Sequence, residues 1–443
     1  MTLASLIAQL PDDFTFGVAT SSYQIEGSQF GNCGQSHWDS FAQVPDAVFG
    51  QEDGGVACDH YHRWQEDLDL ISQGGFSAYR FSFSWPRLLP QTNQGINPDG
   101  ISFYDKLIDG MLERSIAPHA TFYHWDLPQR LADKGGWTNR DTAHYFADYT
   151  DVLMRHFGDR LTSVAPVNEP WCVAWLSHYL GHHAPGLRDI KAAGKAMHII
   201  QLAHGLSAQV AREHGHKNIG CVLNKEFAVP ADDSAETIRL AHLYDGIYSR
   251  WFEDSIFKAQ YPDDVLEVIA PYLPEGWQDD MAVIATPLDW VGVNYYTRAV
   301  IAPDKTEALT GLKTIAGDLP KTDMNWEVAP EGLSFFLRRL AKDYAPDLPI
   351  YITENGMANA DSLTDSGIPD TARISYFESH LAEVAQVIED GIAVKGYFAW
   401  SLLDNYEWAF GYDKRFGLIH VDFETQKRTP KNSYYAWQKA LER

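Results

Sequence analysis

Ile350-Tyr351-Ile352-Thr353-Glu354-Asn355-Gly356 is the stretch that decides how the rest of the chain is read. Its first four residues are β-branched or aromatic, the composition of a strand buried on both faces of a parallel sheet. The run then ends in a carboxylate, an amide and a glycine. A carboxylate left unpaired inside a core is costly. At the C-terminal mouth of a barrel, the same residue would face a substrate.

Working outward from this stretch, similar short β-type runs occur at residues 14–19, 77–83, 118–123, 163–168, 219–224, 290–295, 350–353 and 394–400. Helical periodicity fills the spaces between them, for example at 142–157, 195–214, 330–344 and 374–390. Alternating strand and helix is the pattern of βα units around a parallel sheet, and eight units close a barrel. Repeats, low-complexity tracts and linker-like segments are absent. The expected fold is therefore α/β, a single (β/α)8 TIM barrel over residues 1–443 with its site at the C-terminal mouth. Two long polar excursions, 302–325 and 357–371, follow the sixth and seventh strands and are expected to wall the entrance.

Composition narrows the function classes. Asp and Glu number 60 against 35 Lys and Arg, a formal net charge of −25. That balance argues against nucleic acid and anionic membrane surfaces as partners, because both need basic patches. No apolar run is long enough to span a membrane, and the first basic residue is Arg63, so no secretory n-region is visible. Cys33, Cys58, Cys172 and Cys221 show no Cys-x-x-Cys spacing, which favours reduced thiols and a cytoplasmic protein. Seventeen histidines raise the question of a metal. None of the close pairs has helical ligand spacing with a glutamate base, so no metal and no cofactor is expected.

The ends of the expected strands carry Gln24, Arg80, His124, Trp125, Asn168, Glu169, Asn294, Tyr296, Glu354, Trp400, Glu407 and Trp408. A structural hydrogen bond explains any one of them; their convergence on one mouth points to a polar binding site. Glu169 and Glu354 form a carboxylate pair, the requirement of glycoside hydrolysis: one group protonates the leaving oxygen and the other attacks or activates water. Arg80 and Tyr296 are placed to keep Glu354 ionised with a low pKa. The two carboxyls must differ in environment so that one stays protonated near neutral pH.

The chain resembles glycoside hydrolase family 1, the β-glucosidase family. Phe14-Thr-Phe-Gly-Val-Ala-Thr-Ser-Ser-Tyr-Gln-Ile-Glu-Gly27 is similar to that family's N-terminal motif. Asn168-Glu169-Pro170 is similar to its acid/base motif, and Tyr351-Ile-Thr-Glu354-Asn-Gly356 to its nucleophile motif. Further matches at strands 3, 6 and 8 extend the resemblance over essentially the whole chain. It implies a retaining double displacement with Glu354 as nucleophile and Glu169 as acid, then base. Retention sets a carboxyl separation of ~5–5.5 Å, against ~6.5–9.5 Å for inversion. The resemblance also implies nucleophile support from Arg80, Asn294 and Tyr296. The inner sugar would meet Gln24, His124, Trp125, Asn168, Glu407 and Trp408 above a Trp400 platform. Trp171, His183 and Trp326 would lie on the aglycone side.

Small β-glycosides are the implied substrates: cellobiose, cello-oligosaccharides and aryl glucosides, with β-galactosides and β-fucosides secondary. Relatives that cleave thioglucosides carry Gln at the position of Glu169, so O-glycosides are expected here. Relatives specific for 6-phosphosugars carry Ser at the position of Glu407, with Lys and Tyr downstream; here the downstream pair is Lys414 and Phe416. Cys172 and Glu26 are expected to be packing or structural residues.

Overall fold

The computed structural model describes residues 1–90, 95–365 and 367–442. Eight parallel strands form the frame: β1 Thr15–Ala19, β2 Ala78–Ser82, β3 Ala117–Tyr123, β4 Ser163–Val167, β5 Gly220–Pro230, β6 Trp290–Pro303, β7 Ile350–Asn355 and β8 Val394–Trp400. Around the ring β1 pairs with both β2 and β8, and β6 with both β5 and β7. Closure between β4 and β5 is made by the bridges Val164↔Ile219 and Asn168↔Val222. Ring closure leaves no unpaired barrel edge.

Each expected strand is present, with ends moved by a few residues. The largest change is in β6, which runs on to Pro303 because Leu312–Ile315 folds back to pair with it antiparallel. Part of the first polar excursion is thus a hairpin rather than loop. The second excursion is mostly irregular, and its Ser366 lies outside the described residues. The two excursions meet where the Asp323 amide donates to the Ala358 carbonyl at 3.1 Å.

The helices follow the periodicity with capping corrections. The longest, Ile190–Glu213, starts five residues before the expected 195 because the Asp189 side chain accepts from the Lys191 amide at 2.8 Å. The expected 330–344 helix is Glu331–Arg339, widening into a π turn at Leu340–Tyr344. Many of the tryptophans are core residues: Trp38, Trp85, Trp137, Trp251 and Trp437 are almost wholly buried. Trp85 stacks on Tyr149 and Trp251 on Tyr261, at 5.0 and 3.7 Å between ring centres. Among the described residues no helix is long and apolar enough to cross a membrane.

Several acidic groups that are taken into the interior are paired there with basic ones. Lys431 reaches Asp361 and Asp404 at 2.6 Å each, and Arg373 reaches Asp361 at 2.6 Å and also pairs with Asp370, all of them buried. These pairs tie the excursion after β7, the loop after β8 and the C-terminal helix Asn432–Leu441 into one block.

Candidate active site

A register shift puts the decisive carboxylate in place. Along β6 and β7, Val293 faces Ile352 but Asn294 faces Glu354, so Thr353 is the extra residue of a bulge. A bulge re-aims the residues beside it. Asn294 and Glu354 are thereby brought level at the mouth, and Thr353 donates to Asn294 Oδ1 at 2.6 Å. Gly356 follows directly. A Cβ there would sit 1.8 Å from the Trp400 carbonyl oxygen, so no other residue fits between β7 and the end of β8.

Glu354 is buried and doubly held. Arg80 Nη1 donates to Oε1 at 2.5 Å and the Tyr296 hydroxyl to Oε2 at 2.6 Å. The other arm of Arg80 donates to Asn168 Oδ1 at 2.7 Å. Glu169 stands across the mouth, its backbone in the left-handed region at φ +50° and its amide bonded to the Val222 carbonyl on β5. Asn294 Nδ2 donates to Glu169 Oε1 at 2.7 Å, and the Cys172 thiol to Oε2 at 3.1 Å. The same Asn294 amide donates to Asn168 Oδ1 at 3.0 Å, and its proximity favours the ionised form of Glu354.

The two environments differ in the sense glycoside hydrolysis needs. Burial and the nearby Glu354 charge push Glu169 up to about 8. Burial raises Glu354 as well, against the expectation of a low value. The dry site outweighs what Arg80, Tyr296 and Asn294 return. Glu354 takes a guanidinium and a phenol directly, whereas Glu169 takes only an amide and a thiol, so the proton resides on Glu169. Glu407 is a third carboxyl, half-buried and pushed up to about 8 by burial and by both glutamates. Its Oε2 has no protein partner.

The remaining inner residues lie around the same pocket. Asn168 Nδ2 lies 3.2 Å from His124 Nε2, and the Trp125 indole donates to the Asn168 carbonyl at 3.0 Å. His124 Nδ1 is buried without a partner, and burial beside Arg80 holds this imidazole neutral. Its ring stacks with Trp400 at 5.8 Å and with Trp408 at 6.2 Å. Trp125 and Trp408 share the left-handed backbone of Glu169, at φ +81° and +52°. Such strain in bulky residues collects at functional sites. Gln24 accepts from the Ser21 hydroxyl at 2.6 Å and donates to Asn405 Oδ1 and the Tyr406 carbonyl at 2.9 and 2.8 Å.

Outside this pocket opens a cleft of about 620 Å³, lined among others by Trp171, Trp175, Tyr248, Glu226, Glu307 and Trp326. Trp171 stacks on Tyr248 at 4.1 Å, and Trp326 lies 5.6 Å from Tyr296. His183 does not line it. Its ring packs instead against Trp38 and Trp125, both at 5.2 Å. Sequence reasoning missed Glu226, whose carboxyl accepts from Tyr244 in this cleft, and left Cys172 as a packing thiol. Cys172 stands one turn after Glu169, which was the available signal. Glu26 is more than a hydrogen-bonding residue: it forms a buried ion pair with Arg87 at 2.8 Å. No group of three or more metal-ligating side chains occurs among the described residues.

The sequence matches the family model for glycosyl hydrolase family 1 over residues 6–443. A β-glucosidase of Agrobacterium sp. is 45% identical over 99% of this chain and 96% of its own length. The family 1 β-glucosidase structure from Thermotoga maritima superposes with a TM-score of 0.95 at 43% identity, covering 98% of each chain. A Bifidobacterium breve protein named bifunctional β-D-glucosidase/β-D-fucosidase is 39% identical over 96% of each.

Proposed function

Because the chain belongs to glycosyl hydrolase family 1, we propose that it is a retaining β-glucosidase acting on terminal, non-reducing β-D-glucosyl residues. The observation that carries this is the unequal setting of two facing carboxyls: Glu354 gripped by Arg80 and Tyr296, Glu169 pushed up to about 8.

In the first step Glu354 attacks the anomeric carbon while Glu169 gives its proton to the departing glycosidic oxygen. A glycosyl ester forms and the aglycone leaves neutral. Esterification removes the Glu354 charge, one of the two causes that raise Glu169. Glu169 therefore becomes the stronger acid in the intermediate and works as the base that deprotonates water. Water adds to the anomeric carbon, and Glu354 departs as a carboxylate. No step calls for a metal or cofactor.

Asn168, His124, Gln24 and Glu407 supply hydroxyl partners around the inner sugar, Trp400 and Trp408 flank it, and Trp125 fixes Asn168. Asn294 supports both carboxyls. Trp171 and Trp326 receive the aglycone, cellobiose and longer cello-oligosaccharides or aryl groups. β-Galactosides and β-fucosides are secondary substrates, in keeping with the dual name of the Bifidobacterium relative. Residues 1–443 act as one catalytic barrel. Phosphorylated sugars are disfavoured, since Lys414 is engaged by Asp413 and Asp323 at 2.9 and 3.2 Å and Phe416 offers no hydroxyl. The test is a panel of aryl β-glucoside, galactoside, fucoside, mannoside, xyloside and 6-phosphoglucoside, with NMR of the first-formed sugar. Fastest turnover of the glucoside with a β-anomeric product supports the proposal. An α product overturns retention, and 6-phosphoglucoside preference overturns the substrate class.

A further inference from the structure

We propose that Asn224 and Cys172 act as a positioning pair for the Glu169 carboxyl, directing its acid proton to Oε2. The proposal rests on Glu169 being the acid/base.

Asn224 is a buried residue of β5, and its Nδ2 donates to Cys172 Sγ at 3.7 Å. Cys172 in turn donates to Glu169 Oε2 at 3.1 Å. With the sulfur lone pair facing Asn224, the thiol hydrogen is turned toward the carboxyl. The thiol reaches Glu169 because the π turn Cys172–Leu176 begins three residues after the left-handed Glu169. π turns of this kind recur at functional sites. The Ser177 hydroxyl closes the turn by donating to the Cys172 carbonyl at 2.7 Å.

The two oxygens of Glu169 are thus held unequally. Oε1 accepts from the Asn294 amide at 2.7 Å, a full-strength donor that wants a carbonyl-like lone pair. Oε2 has only a thiol, a weak donor and weak acceptor. In the neutral acid the hydroxyl belongs on Oε2. There the thiol orients it without holding it strongly, so the glycosidic oxygen can take the proton. The thiol itself stays protonated, because burial and the Glu169 charge both push it up. The other titratable groups facing Glu169 are Glu354, Arg80, Glu407 and Tyr296 around the inner pocket and Tyr248 on the cleft side, where Glu226 faces Cys172.

The test compares Cys172→Ala, Cys172→Ser and Asn224→Ala with the unaltered enzyme. The substrates are cellobiose, whose leaving group needs a proton, and 2,4-dinitrophenyl β-glucoside, whose leaving group does not. Cys172→Ala is expected to lower kcat/KM on cellobiose about tenfold and on the dinitrophenyl substrate less than about twofold. Losing a donor that favours the carboxylate also raises Glu169 further, so the alkaline limb of the cellobiose profile moves to higher pH. Cys172→Ser keeps a donor and should bring the limb back toward its original position. Asn224→Ala should shift limb and leaving-group dependence in the same sense by less. Retained dinitrophenyl turnover reports that each variant is folded. Equal losses on both substrates, or an unmoved limb in Cys172→Ala, would overturn the pairing. Full cellobiose activity in Glu169→Gln would instead overturn the acid/base assignment beneath it.

Discussion

The Tyr296 hydroxyl donates to Glu354 Oε2 at 2.6 Å. That bond favours the ionised carboxylate, so Tyr296→Phe should raise Glu354 further. A hydrogen bond to a charged group is worth about 1.5–3 kcal/mol, roughly a ten- to hundredfold loss in kcat/KM. The sign follows: with its pKa raised, the nucleophile ionises only at higher pH, and the acid limb of the rate profile moves up. A pH series with an aryl glucoside measures both effects.

Glu354→Gly should abolish turnover. Added azide should then convert an activated aryl β-glucoside into the α-glycosyl azide, because the small nucleophile fills the space of the missing carboxylate and attacks the same face. Product NMR decides it, and full activity without azide would falsify the nucleophile assignment.

Glu169→Ala should cost about 10²–10⁴-fold on substrates with poor leaving groups and far less on dinitrophenyl glucosides. The alkaline limb should vanish with the group that titrates at about 8. A leaving-group series across at least four aryl glucosides checks this.

The same elevated carboxyl makes a stability prediction. In the folded state Glu169 stays protonated up to about 8, while in the unfolded chain it ionises near the ordinary value of 4.5. As pH rises from 4.5 to about 8 the unfolded state alone sheds this proton, so folding stability falls through that window. Glu169→Gln removes the titration. It should raise Tm at pH 8 by a few degrees, corresponding to roughly 1–3 kcal/mol, and by clearly less at pH 5. Calorimetry at the two pH values measures the difference.

Lys431→Met should leave Asp361 and Asp404 buried without their shared ammonium. Removing one partner of a buried pair costs about 3–5 kcal/mol. The urea midpoint should fall accordingly. Because Asp404 precedes Asn405, which holds Gln24, KM for glucosides should rise more than kcat falls.

Particular residues show how far the sequence could be read. All eight strands were legible, because a two-sided buried strand leaves a compact apolar run. Glu169 and Glu354 were legible because a carboxylate ending such a run is hard to explain structurally. The bulge that makes Asn294 face Glu354 was not, since register depends on a pairing between strands far apart in sequence. Cys172 and Glu226 were missed for a related reason: each gains its role from neighbours on another strand or helix. Glu354 departed from the expected low pKa because motif residues reveal its donors but not how thoroughly the site is dried. His183 carried over from the family to the aglycone side, yet its ring packs against Trp38 and Trp125.

The close approach of Gly356 to the Trp400 carbonyl joins the proposed nucleophile Glu354 to the proposed sugar platform through main chain alone. The spacing between the ends of β7 and β8 is therefore set by backbone, out of reach of most side-chain replacements. The rim, built from hairpin and loop, is free of that constraint. Substitutions in the outer cleft can accumulate while this main-chain link between the two strand ends stays in place.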